Sequence, residues 1–253
     1  MISATRITDY RVLWRIVYWG AMGNSCFRTS CCNGIELNII TKYLLMIAET
    51  FDNITAWLKD NAPKILELSL QSGATESQLN ELESVIGIKL PEDFKELYKL
   101  HNGLSDDENV GSLFYGMKFY PIDSIIVDHE QNASLPVTAL LKWDPAIDQS
   151  NLFNPGWITF AFDGAHTSLK MDLVPTEKGN YGQIIFIDDE YEVGILVAAS
   201  ITELLVTFAS DLKSGLYHLA EDALEEGDEF LSPDDSIDIV NWYQSDQWKH
   251  LQE

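Results

Sequence analysis

Cysteine is nearly absent from this chain: Cys26, Cys31 and Cys32 stand together near the start, and none follows. An odd, clustered set is no disulfide framework. With no histidine nearby it also lacks the further ligands a zinc site needs. The cysteine-free remainder suits the cytoplasm. Long apolar runs are lacking too. No stretch of about 18 apolar residues occurs, so no membrane-spanning helix is expected. The segment from Val12 to Met22 follows Arg6 and Arg11 in the manner of a signal peptide. Arg15 interrupts its apolar part, however, and no small-x-small cleavage site follows.

Basic residues are the second scarcity. Sixteen Lys and Arg stand against forty Asp and Glu, for a formal net charge of −24. The imbalance is uneven. Residues 1–45 hold five basic residues (Arg6, Arg11, Arg15, Arg28, Lys42) and two acidic ones (Asp9, Glu36). The rest therefore carries eleven basic against thirty-eight acidic residues, or −27. Such a body repels phosphate backbones, which sets nucleic-acid binding aside, and it repels anionic membranes. It attracts basic proteins and speeds encounter with them. The plainer reading is that the acids keep the protein soluble.

Chemistry-bearing motifs are lacking as well. The sequence has neither a dinucleotide-type nor a Walker-type glycine loop. It has no G-x-S-x-G elbow and no H-E-x-x-H. Its five histidines (His101, His129, His166, His218, His250) are scattered. Asp128-His129-Glu130 are adjacent on a predicted helix and do not converge on one ion. Asp163, Asp172, Asp188 and Asp189 fall within or at the ends of predicted strands. Carboxylates meeting there would serve as acid and base or hold a divalent cation. A metal-assisted hydrolase built on Asp163, Asp172 and Asp188 is thus the least favoured of three readings, since turn-forming Asp explains Asp163 and Asp188 more simply. No cofactor or metal is expected.

What is present is a well-patterned globular chain, with 46% apolar residues and 11% aromatic ones. Residues 1–45 differ in charge and lack periodicity, and are read as an extension outside the core. From about Thr50, Phe51, Ile54, Trp57 and Leu58 recur at helical spacing. Pro63 opens a second helix with Ile65, Leu66 and Leu68. Thr75-Glu-Ser-Gln78 is a capping box, and Gly87 stops its helix. Pro91 begins the next helix, with Phe94, Leu97 and Tyr98 on its apolar face. Leu113–Ile122 reads as a strand and 123–134 as a helix. A Pro-, Asp- and Asn-rich loop runs from Asp144 to Gly156. Strands follow at 157–162, 168–174, 183–187 and 193–198, with Asp163-Gly164 as a turn. A helix spans 201–213. Residues 221–238 turn acidic, and Ile239–Leu251 has apolar spacing with Trp242, Tyr243 and Trp248; residues 221–253 read as an acidic tail whose end docks weakly. Helices, then strands, then a helix predict α+β: N-terminal helices and a C-terminal helix packed on a mainly antiparallel sheet. The domain boundaries expected are 1–45, 46–220 and 221–253.

Four segments in order resemble one family. Ile88-Lys-Leu90-Pro91-Glu-Asp-Phe94 leads to Leu100-His-Asn-Gly103. Asn154-Pro-Gly-Trp157-Ile-Thr-Phe160-Ala-Phe-Asp163-Gly164 follows. Asp172 lies in the third segment, Leu169–Val174, and Gly179-Asn-Tyr-Gly182-Gln183-Ile184 is the fourth. Together they are similar to the SUKH superfamily, which takes in yeast cell-wall-assembly regulators and bacterial toxin-immunity proteins. Thr159 departs from the family, which often has Pro there, as does Ala165-His166, where a further Gly is common. The resemblance implies a small α+β domain without known catalysis, in which Leu90, Pro91, Gly103, Gly164 and Gly182 hold the scaffold.

The leading expectation is a protein-binding domain, an immunity protein that neutralises a basic toxin domain. A cell-wall regulatory scaffold is the alternative. Partner contacts are expected at Trp157, Asp163, His166 and Asp172, and at Asp148 and Asn151 in the loop before β-strand 157–162, because loops on a rigid scaffold are common recognition sites.

Overall fold

A computed structural model describes residues 32–251, with side chains from Leu45 onward. The readings made on Cys26, Cys31 and the apolar stretch from Val12 to Met22 lie outside the described residues. Helix α1 spans Cys32–Asn61. It begins well before the Thr50 start that periodicity suggested. Ile47, Phe51, Ile54 and Leu58 are its buried positions, three and four residues apart as an amphipathic helix requires. The second helix expected after Pro63 is a π-helical turn, Ile65–Ser69. Helix α2 (Glu76–Ile86) opens on the predicted capping box: the Thr75 side chain accepts from the Gln78 N–H, and the Gln78 side chain accepts from the Thr75 N–H. Left-handed Gly87 closes it. Helix α3 (Glu92–Leu100) buries Phe94, Leu97 and Tyr98. Helix α4 covers Ile122–Asn132 and α5 covers Ile201–Lys213.

The sheet contains β1 (Lys118–Phe119), β2 (Lys142–Trp143), β3 (Trp157–Phe162), β4 (Thr167–Asp172), β5 (Gln183–Asp188) and β6 (Val193–Ala198), in the order β1-β3-β4-β5-β6-β2. Every pairing is antiparallel except β2 with β6. The architecture is α+β. The strand predicted over 113–122 shrinks to two residues, because Phe114–Gly116 forms a 3-10 turn with Tyr115 at φ 54. Strands β3 to β5 are buried on both faces, so their alternation does not separate core from solvent. On one face Phe160 meets Phe94 and Phe114 edge-on, and Phe114 meets Phe208 of α5. On the other, Trp157, Ile185 and Ile187 pack under Leu140, Ile147 and Leu152 of the preceding loop.

The C-terminal segment corrects the sequence reading. From Met46 onward the chain forms one compact unit, and position 220 is no boundary in it. Strand β7 (Tyr217–Leu219) pairs with β8 (Leu231–Pro233) across a short helix, α6 (Glu221–Glu226). Leu231, Ile237, Ile239, Trp242 and Trp248 are buried. One of the acids that suggested a tail is tied into the fold: the Glu229 carboxylate accepts from the Lys64 N–H at 2.6 Å, and its own N–H donates to Asn109 Oδ1 at 2.7 Å.

Candidate functional site

The sequence motifs meet in the folded chain. Glu83 of α2 accepts from the Leu90 N–H at 3.0 Å and pairs with Lys89 and Lys95. Burial opposes its ionisation, but these three donors outweigh burial and hold its carboxyl at about 2. Leu90-Pro91 is thereby fixed at the start of α3. Asp93 then reaches across to α5, its Oδ2 lying 3.4 Å from both the Thr202 N–H and the Thr202 hydroxyl. Gly182 sits against the same proline: a Cβ there would lie 2.6 Å from Pro91 Cγ, and its φ is +79°. Only glycine suits both conditions.

Asp172 is wholly buried. Its Oδ1 accepts from the Val174 N–H (2.9 Å) and its Oδ2 from Gln183 Nε2 (2.8 Å). Gln183 also donates to the Ala146 carbonyl and accepts from the Asn180 N–H. Burial raises the Asp172 carboxyl to about 6 against these hydrogen bonds, and Asp148 pushes the same way. The Trp157 indole lies toward it, although its N–H makes no hydrogen bond of ordinary geometry. This is a staple joining β4, β5 and the loop before β3. Asp172 and Trp157, expected as partner contacts, are both buried and present no surface to a partner.

The remaining predicted residues are spread. Asp148 and Asn151 cap their own loop through the Ser150 and Phe153 N–H groups. His166 is exposed near Asp189 and Glu190, at 3.5 and 3.8 Å. Asp163 and Gly164 do line a cleft, described below. The carboxylates invoked for hydrolysis do not assemble. Asp188 pairs with Thr167 and Asp172 with Gln183, so Asp172 and Asp188 stand at opposite ends of the β4–β5 ladder, about 17 Å apart at ~3.4 Å per residue. The odd spacing also turns them to opposite faces. Asp188 is itself occupied by the Glu190 and Tyr191 N–H groups and the Trp242 indole. Among the described residues no three His, Cys, Asp or Glu side chains gather as a metal site would require.

An open cleft of about 490 Å³ lies at the far end of β3 from Trp157. Helix α4 supplies Ser124, Val127, Asp128 and Gln131; β1 and the residue after it supply Lys118 and Tyr120; the end of β3 and its turn supply Phe162 and Asp163; Asp106, Val110 and Phe230 complete the lining. The motifs build its walls. Asn102 Oδ1 accepts from the Ile122 N–H and so starts α4, with Gly103 lying against the Tyr120–Pro121 backbone. Asp163 Oδ1 accepts from the Ala165 and Thr167 N–H groups (2.8 and 3.0 Å), which sets the turn after β3. Gly164 there has a φ of +90°. The Tyr120 and Phe162 rings pack 6.1 Å apart. Burial, and then Asp128, Asp163 and Asp106, push the Tyr120 phenol up to about 12. Lys118 is paired with Asp106. Sequence reasoning found Asp163 here but missed Tyr120, Val127 and Phe230. Phe230 sits in the segment read as a tail, and nothing local marks it.

Comparison with known proteins decides the family. A sequence profile, the SMI1 / KNR4 family (SUKH-1), matches residues 73–207, just over half of the chain. The chain belongs to the SMI1/KNR4 family. Its cleft, however, is completed by Phe230, outside the matched segment. The chain is 26% identical over 217 residues to the glucan synthesis regulatory protein of Neurospora crassa, covering 71% of this chain and 41% of that protein. It is 23% identical over 223 residues to the cell wall assembly regulator SMI1 of Saccharomyces cerevisiae (73% and 43%). It is 24% identical over 221 residues to the cell wall biosynthesis/cell cycle regulator smi1 of Schizosaccharomyces pombe (81% and 42%). The chain thus spans less than half the length of these relatives. Among the described residues no helix is long and apolar enough to cross a membrane.

Proposed function

We propose that this SMI1/KNR4-family chain is a non-catalytic regulator of cell-wall assembly that works by binding a protein partner of opposite charge. The observation that carries this reading is its similarity to three fungal proteins named as regulators of glucan synthesis, of cell-wall assembly, or of cell-wall biosynthesis and the cell cycle. That similarity favours the regulatory scaffold over the immunity role against a toxin, which the resemblance to SUKH proteins first suggested. The state of Asp172, one of the acids weighed for hydrolysis, supports the absence of catalysis there: it is closed from solvent and held by Val174 and Gln183, with no path to a substrate. Charge supports the partner class, because a body of −27 draws basic proteins.

A segment swap tests the reading without asking a shorter chain to replace a longer one. Residues 46–251 are placed in S. cerevisiae SMI1 in exchange for the segment they match. Cells carrying the swap should regain resistance to wall-perturbing dyes, relative to cells lacking SMI1. A hybrid that accumulates at normal levels and restores nothing would refute the proposal.

A further inference from the structure

The cleft between α4 and the end of β3 is an apolar trough with an acidic rim, and its chemistry selects one kind of guest. Phe162, Phe230 and the half-exposed Val127 and Val110 form its apolar lining. Asp128 and Asp163 stand beside them. Each carboxylate keeps one oxygen for a guest: Asp163 employs Oδ1 for its turn, and Asp128 employs Oδ2 for Asn132 (2.8 Å) while also lying in the field of the buried Lys170. The second oxygen of each has no hydrogen bond among the described residues. The cation in the lining, Lys118, is already neutralised by Asp106. The fields of Asp106, Asp128 and Asp163 converge on the Tyr120 phenol, which stays protonated and can donate or accept. An apolar lining beside free carboxylates lowers the local dielectric and strengthens any ion pair formed there. A cation alone leaves the apolar surface of Val127 and Val110 uncovered even where it stacks on Phe162 or Phe230, and a purely apolar side chain gains nothing from the carboxylates.

We propose that this cleft binds a segment of a partner protein that presents an arginine or lysine next to an apolar side chain. The cation lies between Asp128 and Asp163, and its neighbour packs on Phe162 and Phe230. The inference rests on the protein-binding reading above and names the site and the chemistry of the partner. Phe230 comes from outside the segment shared with the family profile, so this wall adjusts the choice of partner in this chain.

The test pans a random short-peptide library against the full chain and titrates the enriched peptides by fluorescence anisotropy. Enriched sequences should carry Arg or Lys within a few positions of Phe, Leu or Trp. Asp163→Asn and Asp128→Asn keep the acceptor each side chain uses internally. Each should weaken the enriched peptides by about three- to tenfold, as for a partly desolvated ion pair. Val127→Lys should weaken them further. Glu177→Lys, outside the cleft, should leave affinity within about twofold, since isolated surface charges matter little. Melting temperatures identify any variant that fails to fold. Enriched peptides without a cation, or affinities unmoved by all three cleft variants in folded protein, would overturn the proposal. The two readings separate in the yeast hybrid. If the hybrid restores the wall while the enriched peptides lack a cation or ignore the cleft variants, the cleft is refuted and the regulator stands. If the hybrid fails while peptides behave as predicted, the regulatory reading falls and the cleft stands.

Discussion

Asp172 shows how a residue can be legible in kind and misread in role. Its place in the family pattern was evident, and the first expectation was a partner contact. The structure buries it completely and surrounds it with donors. Burial is a long-range property that no local spacing encodes. Gly164 was easier, because its reason is local: it occupies the left-handed region at a turn. The buried carboxyl leads to a prediction. Its folded pKa, about 6, exceeds the unfolded value near 4. Between those values the folded state holds more protons than the unfolded one, so this group's contribution falls as pH rises from about 4 to about 6 and is flat above. At about 1.4 kcal/mol per pH unit, the wild type should lose on the order of 2–3 kcal/mol relative to Asp172→Asn across that window. Urea unfolding of both proteins at pH 4 and pH 7 measures the difference. A difference independent of pH would mean that the Asp172 carboxyl titrates in the folded protein where it does in the unfolded one.

Elements were read well wherever a local signal set their ends. The Thr75–Gln78 box, the Pro91 start of α3 and the limits of β3 at 157–162 all agree with the structure. Failures fall where tertiary contacts override local pattern. The 113–122 strand is cut short because Tyr115 turns into the left-handed region, its N–H donating to the Tyr217 hydroxyl from a distant strand. Residues 221–251 were misjudged because the apolar spacing visible over Ile239–Leu251 is sparse and follows an acidic stretch, so it suggested weak docking where the whole domain in fact buries it. Removing this segment therefore has a definite consequence. Five buried side chains, Leu231, Ile237, Ile239, Trp242 and Trp248, would lose their burial at about 1.5–3 kcal/mol each. That sum matches or exceeds the whole stability of an ordinary domain, about 5–15 kcal/mol. A chain ending at Ala220 should lack a cooperative thermal transition by circular dichroism. A transition at the full chain's temperature would show that the segment is dispensable.

For the whole molecule, the α+β class and antiparallel sheet followed from the order of elements, whereas the cleft did not. It is assembled from α4, the strand ends and a distant C-terminal residue, and only their convergence makes it. Charge was the most legible global property, and it bears on the central claim that this chain acts by capturing an oppositely charged protein. The excess acid lies in the folded body, so a long-range negative field surrounds the domain and shrinks with the screening length, about 10 Å at 0.1 M salt. The most direct measurement takes the protein that cross-links to the yeast hybrid and follows its association with this chain by stopped flow, from about 0.02 to about 0.3 M salt. The account predicts an association rate that falls at least about tenfold over that range, with a dissociation rate that changes far less. A flat association rate, or a hybrid that restores the wall while cross-linking to no protein, would contradict it.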